Sequence, residues 1–130
     1  QVDEELSMPA TVGIQESFIW GSACTKIGAC TELCGRRSQE DLMDVYKVGE
    51  ATIMAVYDGH GGTEAVTMLK QMAREHIHSI ADLNQEVFDK IDQAILAHLR
   101  TVETASADET TDKALTSGAV AVFAVVEGKR

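Results

Sequence analysis

A chain of 130 residues is long enough for one compact domain with a modest core. Its 21 acidic residues against 11 basic ones leave a net charge of -10, and such a chain repels phosphate backbones and anionic lipid, so nucleic acid is excluded as an expected partner. No apolar run approaches the ~20 residues needed to cross a bilayer, so no membrane insertion is expected. The longest such run, Gly118 to Val126, has the length of a strand.

Residues 1–17 lack sustained periodicity and contain the single proline, Pro9. They are read as an N-terminal arm or loop leading into a domain over residues 18–130. Phe18 to Cys24 is rich in β-branched and aromatic residues and predicts a strand. Gly28 and Gly35 then favour turns or bulges. Cys24, Cys30 and Cys34 are odd in number and irregular in spacing. They fit neither a zinc site nor a disulfide framework, and they point to a reduced, intracellular protein.

Met43 to Val48 and Ala51 to Tyr57 read as two strands joined by Gly49-Glu50, a pair suited to a tight hairpin with a primed turn. The second run is apolar at almost every position, which predicts cover on both faces. From Thr63 the period becomes helical, with Ala65, Val66, Leu69, Met72, Ala73 and Ile77 on one face. A second helix is expected from about Gln85 to Val102, with Asn84 as N-cap and Val87, Phe88, Ile91, Ile95, Leu99 and Val102 as its apolar stripe. Core packing accounts for both stripes. Thr104 to Lys113 is small, polar and acidic and reads as an exposed loop, and Ala119 to Val126 as a further strand. Strands, two helices and another strand make an α+β layered domain.

The chemistry concentrates in two segments. Asp58-Gly59-His60-Gly61-Gly62 stands between a strand and a helix. A glycine turn before a helix can cradle an anion, but the longer glycine spacing followed by Lys and Ser or Thr of a nucleotide-binding loop is absent. A carboxylate at the end of a covered strand is costly unless paired, hydrogen-bonded or metal-bound. Two readings stand at this point: Asp58 caps Thr63 or a nearby amide, or Asp58 and a glycine carbonyl grip a hard cation. The second segment, Arg36-Arg37-Ser38-Gln39-Glu40-Asp41, sets two carboxylates beside arginines and reads by itself as a solvated turn. Adjacent residues of a strand face opposite ways, so Glu40 and Asp41 cannot both reach one cation directly, and one would act through bound water.

Taken together, these segments resemble the type 2C, metal-dependent serine/threonine protein phosphatases. Gly35 to Asp41 is similar to that family's motif with an arginine five residues before Glu-Asp, and Ala55 to Gly62 to its most characteristic stretch. Thr116-Ser117-Gly118-Ala119-Val120-Ala121 resembles its Ser-Gly-small-Thr-Ala strand, with Val120 where threonine is usual. The match covers nearly all of the chain after the arm. It implies a β-sandwich flanked by helices, present here only in part, and a two-metal site for Mg2+ or Mn2+. By position, Asp58 would bridge the metals with the Gly59 carbonyl on one of them. Glu40 would hold metal-bound water, with Asp41 beside it in the same acidic cluster. Arg36 would grip the substrate phosphate, and His60 would protonate the leaving oxygen of a phosphoserine or phosphothreonine protein substrate.

The family's later metal-binding aspartates, from an Asp-Gly turn and a terminal Asp-Asn pair, have no counterpart before Arg130. This stretch alone is therefore expected to be inactive. Two alternatives stand beside a working phosphatase. One is a degenerate, phosphatase-like subunit that serves protein assembly partners. The other is an acidic cation-binding or adaptor module whose glycine turn is only structural.

Overall fold

A computed structural model describes residues 4–7, 14–21, 26–105 and 116–127. They fall into two units, one running up to Gln39 and the other spanning Glu40–Gly128.

The first unit holds an antiparallel sheet of β1 (Glu4–Ser7), β2 (Ile14–Gly21) and β3 (Lys26–Glu32), in the order β1-β2-β3. Part of the stretch expected to be an arm or loop is therefore strand. Its sequence lacks visible alternation, and cross-strand pairing of Glu4 with Gly21 through Ser7 with Phe18 settles its conformation instead. Gly28, expected at a turn or bulge, pairs in register with Ile19 inside β3. Gly35 does lie in a turn, where the Arg36 N–H donates to the Leu33 carbonyl at 3.2 Å.

The second unit is α+β. Its sheet has the order β4-β5-β6, formed by β4 (Leu42–Val48), β5 (Ala51–His60) and β6 (Gly118–Glu127). All neighbours are antiparallel. The β4–β5 hairpin closes through Gly49-Glu50, with Val48 opposite Ala51. Gly49 has φ of 59° and Glu50 does not share the positive φ, the pattern of a primed turn with glycine first.

Helices α1 (Glu64–His76) and α2 (Gln85–Ala105) follow β5, joined through a 3-10 turn at Ile80–Asp82. Their apolar stripes face the core as the periodicity predicts. Val66, Leu69, Ala73, Ile77 and Ile91 cluster with Tyr46, Ile53, Ala55 and Tyr57 of the sheet, and Leu99 is also buried. Asn84 caps α2, its Oδ1 accepting the Val87 N–H at 3.0 Å. The acidic side chain of the 3-10 turn, Asp82, is held below the usual carboxylate range, chiefly by the hydrogen bond from the His78 N–H and then by those from Ser79. The helix extends through Ala105, so Thr104 is not in a loop, and residues 106–113 of the expected loop lie outside the described residues.

Strand β5 differs from expectation in two respects. It continues through Asp58, Gly59 and His60, because β6 pairs with it along its whole length. It is also covered less fully than its apolar composition predicts. Ile53, Ala55 and Tyr57 are buried, whereas Val56 on the opposite face is 59% exposed. A β-branched residue suits the pleated backbone whether or not that face is covered.

The C-terminal end of α1 is tied to β4. Arg74 donates from two nitrogens to the two carboxylate oxygens of buried Asp44, both at 2.6 Å, and its guanidinium lies 5.1 Å from the centre of the Tyr46 ring. The Tyr46 hydroxyl donates to the Ile77 carbonyl at 2.8 Å, with the Ala73 carbonyl at 3.3 Å. Burial, followed by the neighbouring Asp44 charge, pushes the Tyr46 hydroxyl up to about 12. The helix is thus tied to the sheet at its C-terminal end, and its N-terminus follows the end of β5.

Candidate functional site

The glycine-rich segment spans a strand end and a turn. Asp58, Gly59 and His60 belong to β5, opposite Val120, Ala119 and Gly118, and only Gly61 and Gly62 turn the chain towards α1. Side chains alternate along a strand, so Asp58 and His60 share one face while Gly59 points to the other. Both Asp58 and His60 are exposed, and Gly59 is buried. The local folding thus brings a carboxylate and an imidazole side by side into solvent.

Close approach explains the first glycine. A Cβ on Gly59 would collide with the Glu40 carbonyl oxygen and stand 3.0 Å from the Val66 side chain. The backbone of Glu40 and the first turn of α1 therefore close on β5 from the Gly59 side. Gly61 has φ of +70°, and a Cβ there would meet the Thr116 carbonyl oxygen at 2.6 Å. Only glycine fits both requirements at that point.

The polar groups of the turn are satisfied from elsewhere in the chain. The Glu40 carboxylate accepts the Gly62 N–H at 2.9 Å. Thr63, at the N-cap of α1, makes no side-chain cap, and the Ser117 hydroxyl accepts the Ala65 N–H at 3.3 Å in its place. The reading of Asp58 as the cap is thereby overturned. The Gly62 and Ala65 amides are taken by Glu40 and Ser117, and the Asp58 carboxylate has no hydrogen bond or ion pair to a described residue. Glu64, at the first position of α1, keeps Oε2 buried without a hydrogen-bond partner among the described residues, in the turn where a helix favours negative charge.

The remaining candidates are placed as follows. Glu40 and Asp41 lie just before β4 and not within it, with Glu40 half-buried and Asp41 exposed. The strand argument for their opposite directions therefore does not apply, although their environments do differ. Arg36 is exposed in the turn that follows β3, in the first unit. Ser117 and Gly118 were legible as part of a motif, but nothing in their spacing indicated that one caps α1 and the other meets His60.

Among the described residues, no group of three or more His, Cys, Asp or Glu side chains is gathered for metal binding. The donors at the turn, the Asp58 and Glu40 carboxylates, are hard oxygens. They suit Mg2+ or Mn2+ in kind, and in number they fall short of the roughly six oxygens such ions take. The half-buried Glu40 is already committed to Gly62, which leaves Asp58 as the open ligand.

An antiparallel sheet backed by two helices, with a carboxylate and a histidine exposed at the strand end, makes an α+β domain. The Protein phosphatase 2C family model matches residues 32–130, and the chain belongs to that family. Its members are protein phosphatases acting on phosphoproteins and generally depend on Mg2+ or Mn2+. No curated protein sequence matches the chain. No helix among the described residues is long and apolar enough to cross a membrane.

Proposed function

We propose that the chain contributes part of a metal-dependent serine/threonine protein phosphatase centre, which hydrolyses a phosphomonoester on a protein substrate. The observation that carries this reading is the exposed Asp58 carboxylate beside His60. That carboxylate has no hydrogen-bond or ion-pair partner among the described residues, while Glu40 and Ser117 hold the Gly62 and Ala65 amides. A carboxylate with no partner among the described residues, on a strand paired along its whole length, is available to a cation.

Asp58 and the Gly59 carbonyl would hold Mg2+ or Mn2+, with Glu40 and Asp41 orienting water around the ion. When bound, such a metal pair supplies an activated water and neutralises charge on the phosphoryl oxygens. The side chains do the remainder. His60 gives a proton to the departing serine or threonine oxygen from its ring nitrogen. Arg36 would offer a fork of N–H donors to the phosphate. The net acidity of the chain suits cation recruitment and disfavours a nucleic-acid substrate.

Paramagnetic broadening by Mn2+ tests the assignment. Amide signals of Gly59 to Gly62 are expected to broaden on adding Mn2+, weakly because water fills most of the coordination shell. Asp58→Asn keeps the side chain's shape and removes its charge, so it should abolish the broadening with little change in stability. Equal broadening in both proteins would overturn the role of Asp58.

A further inference from the structure

The segment that enters β6, Thr116-Ser117-Gly118, touches the candidate site at every residue, yet none of the three has a role in the chemistry above. The Thr116 carbonyl fills the space beside Gly61, and the Ser117 hydroxyl caps α1. Gly118 pairs directly with His60, so a side chain on Gly118 would rise from the same face of the sheet as the imidazole. A Cβ there would stand 2.6 Å from Nε2 and 2.7 Å from Cε1 of His60. Non-bonded carbon contacts settle at about 3.5–4.0 Å, so the imidazole already occupies the volume that any other residue at 118 would fill.

We propose that Gly118 is a positioning residue for His60, and that its missing side chain forms a seat which holds the imidazole across β6. The functional meaning of the seat rests on the reading of His60 as a proton donor; the seat itself is a matter of packing. An exposed histidine on a strand samples several rotamers, whereas a general acid must keep one nitrogen within hydrogen-bond reach of its target. Lying over the bare Cα of Gly118 restricts the ring to a narrow set of orientations. The backbone that follows His60 is held by the same segment, through Thr116 against Gly61 and Ser117 on Ala65. Thr116 to Gly118 thus acts as a frame for the histidine and the turn after it.

The frame makes a specific demand at residue 118. The atoms that an alanine methyl would strike are the tip of a movable side chain and not backbone, so Gly118→Ala folds and the imidazole swings away. At Gly59 and Gly61 the atoms struck include backbone carbonyl oxygens, and there the fold itself would have to shift.

Nuclear magnetic resonance on the isotopically labelled chain tests this. In the unmodified protein a strong cross-relaxation peak is expected between the His60 ring proton Hε1 and the Gly118 Hα protons. Gly118→Ala is expected to move the His60 ring signals and leave the Tyr46 and Tyr57 ring signals in place. Val122→Ala, an exposed position on the same strand, serves as the control and should leave the His60 ring signals unmoved. Absence of the peak in the unmodified protein overturns the proposal, and so do unchanged His60 ring signals in a folded Gly118→Ala. Should that variant fail to fold, the peak in the unmodified protein decides alone. The result separates from the Mn2+ experiment. A missing ring contact with Mn2+ bound at Asp58 removes the seat and leaves the cation site, while an intact contact without Mn2+ binding does the reverse.

Discussion

At its C-terminal end, α1 is fastened to β4 by Tyr46 and by the Arg74–Asp44 pair, all from residues within or next to the hydrophobic core. At its N-terminal end the same helix is held by Ser117 and flanked by the Glu40–Gly62 bond, with exposed Asp58 and His60 alongside. One end commits its polar groups to stability. At the other end the Gly62 and Ala65 amides are taken by Glu40 and Ser117, so Asp58 and His60 are not the groups that cap the helix. The difference shows how a small domain can satisfy the backbone at a candidate site without consuming the side chains the site needs.

Removing the charged anchor should have the largest effect. Arg74→Met leaves Asp44, which is 5% exposed, without its partner. Loss of a fully buried pair costs ~3–5 kcal/mol, and because Arg74 itself is half exposed the expected loss is about 2 kcal/mol in urea denaturation. An unchanged midpoint would mean that the C-terminal end of α1 is held by apolar contacts alone.

The two buried tyrosines sharpen the contrast. Tyr46→Phe deletes a hydroxyl that bonds the end of α1 and should cost about 1 kcal/mol. Tyr57 is fully buried, and its hydroxyl has no hydrogen-bond partner among the described residues. Tyr57→Phe should therefore leave thermal stability unchanged or raise it, since an unsatisfied buried hydroxyl is itself a cost. Equal losses in the two variants would show that Tyr57 has a partner after all.

The smallest expected loss from breaking a hydrogen bond lies at the site end. Ser117→Ala removes the borrowed cap and should cost about 0.5–1 kcal/mol, whereas Thr63→Ala, at the formal N-cap, should cost almost nothing because its side chain makes no cap bond. The reverse order would place the cap on Thr63 and leave Ser117 without its task. Urea denaturation of both variants distinguishes the two.

Sequence alone determined the second unit well. The hairpin at Gly49-Glu50, both helix stripes, the Asn84 cap and β6 follow from periods, turn residues and capping chemistry, all of which act over a few neighbouring residues. The family was legible for a similar reason, because its motifs are contiguous runs of residues. Tertiary structure decided the rest. Pairing with β6 drew Asp58 and His60 into β5, and pairing between β1 and β2 made strand of a stretch with no visible alternation. Only folding brought Glu40 to Gly62, Ser117 to Ala65 and Gly118 to His60, contacts between residues 22, 52 and 58 positions apart in the chain. Local pattern carries no information about such meetings, because they depend on how strands register and helices dock.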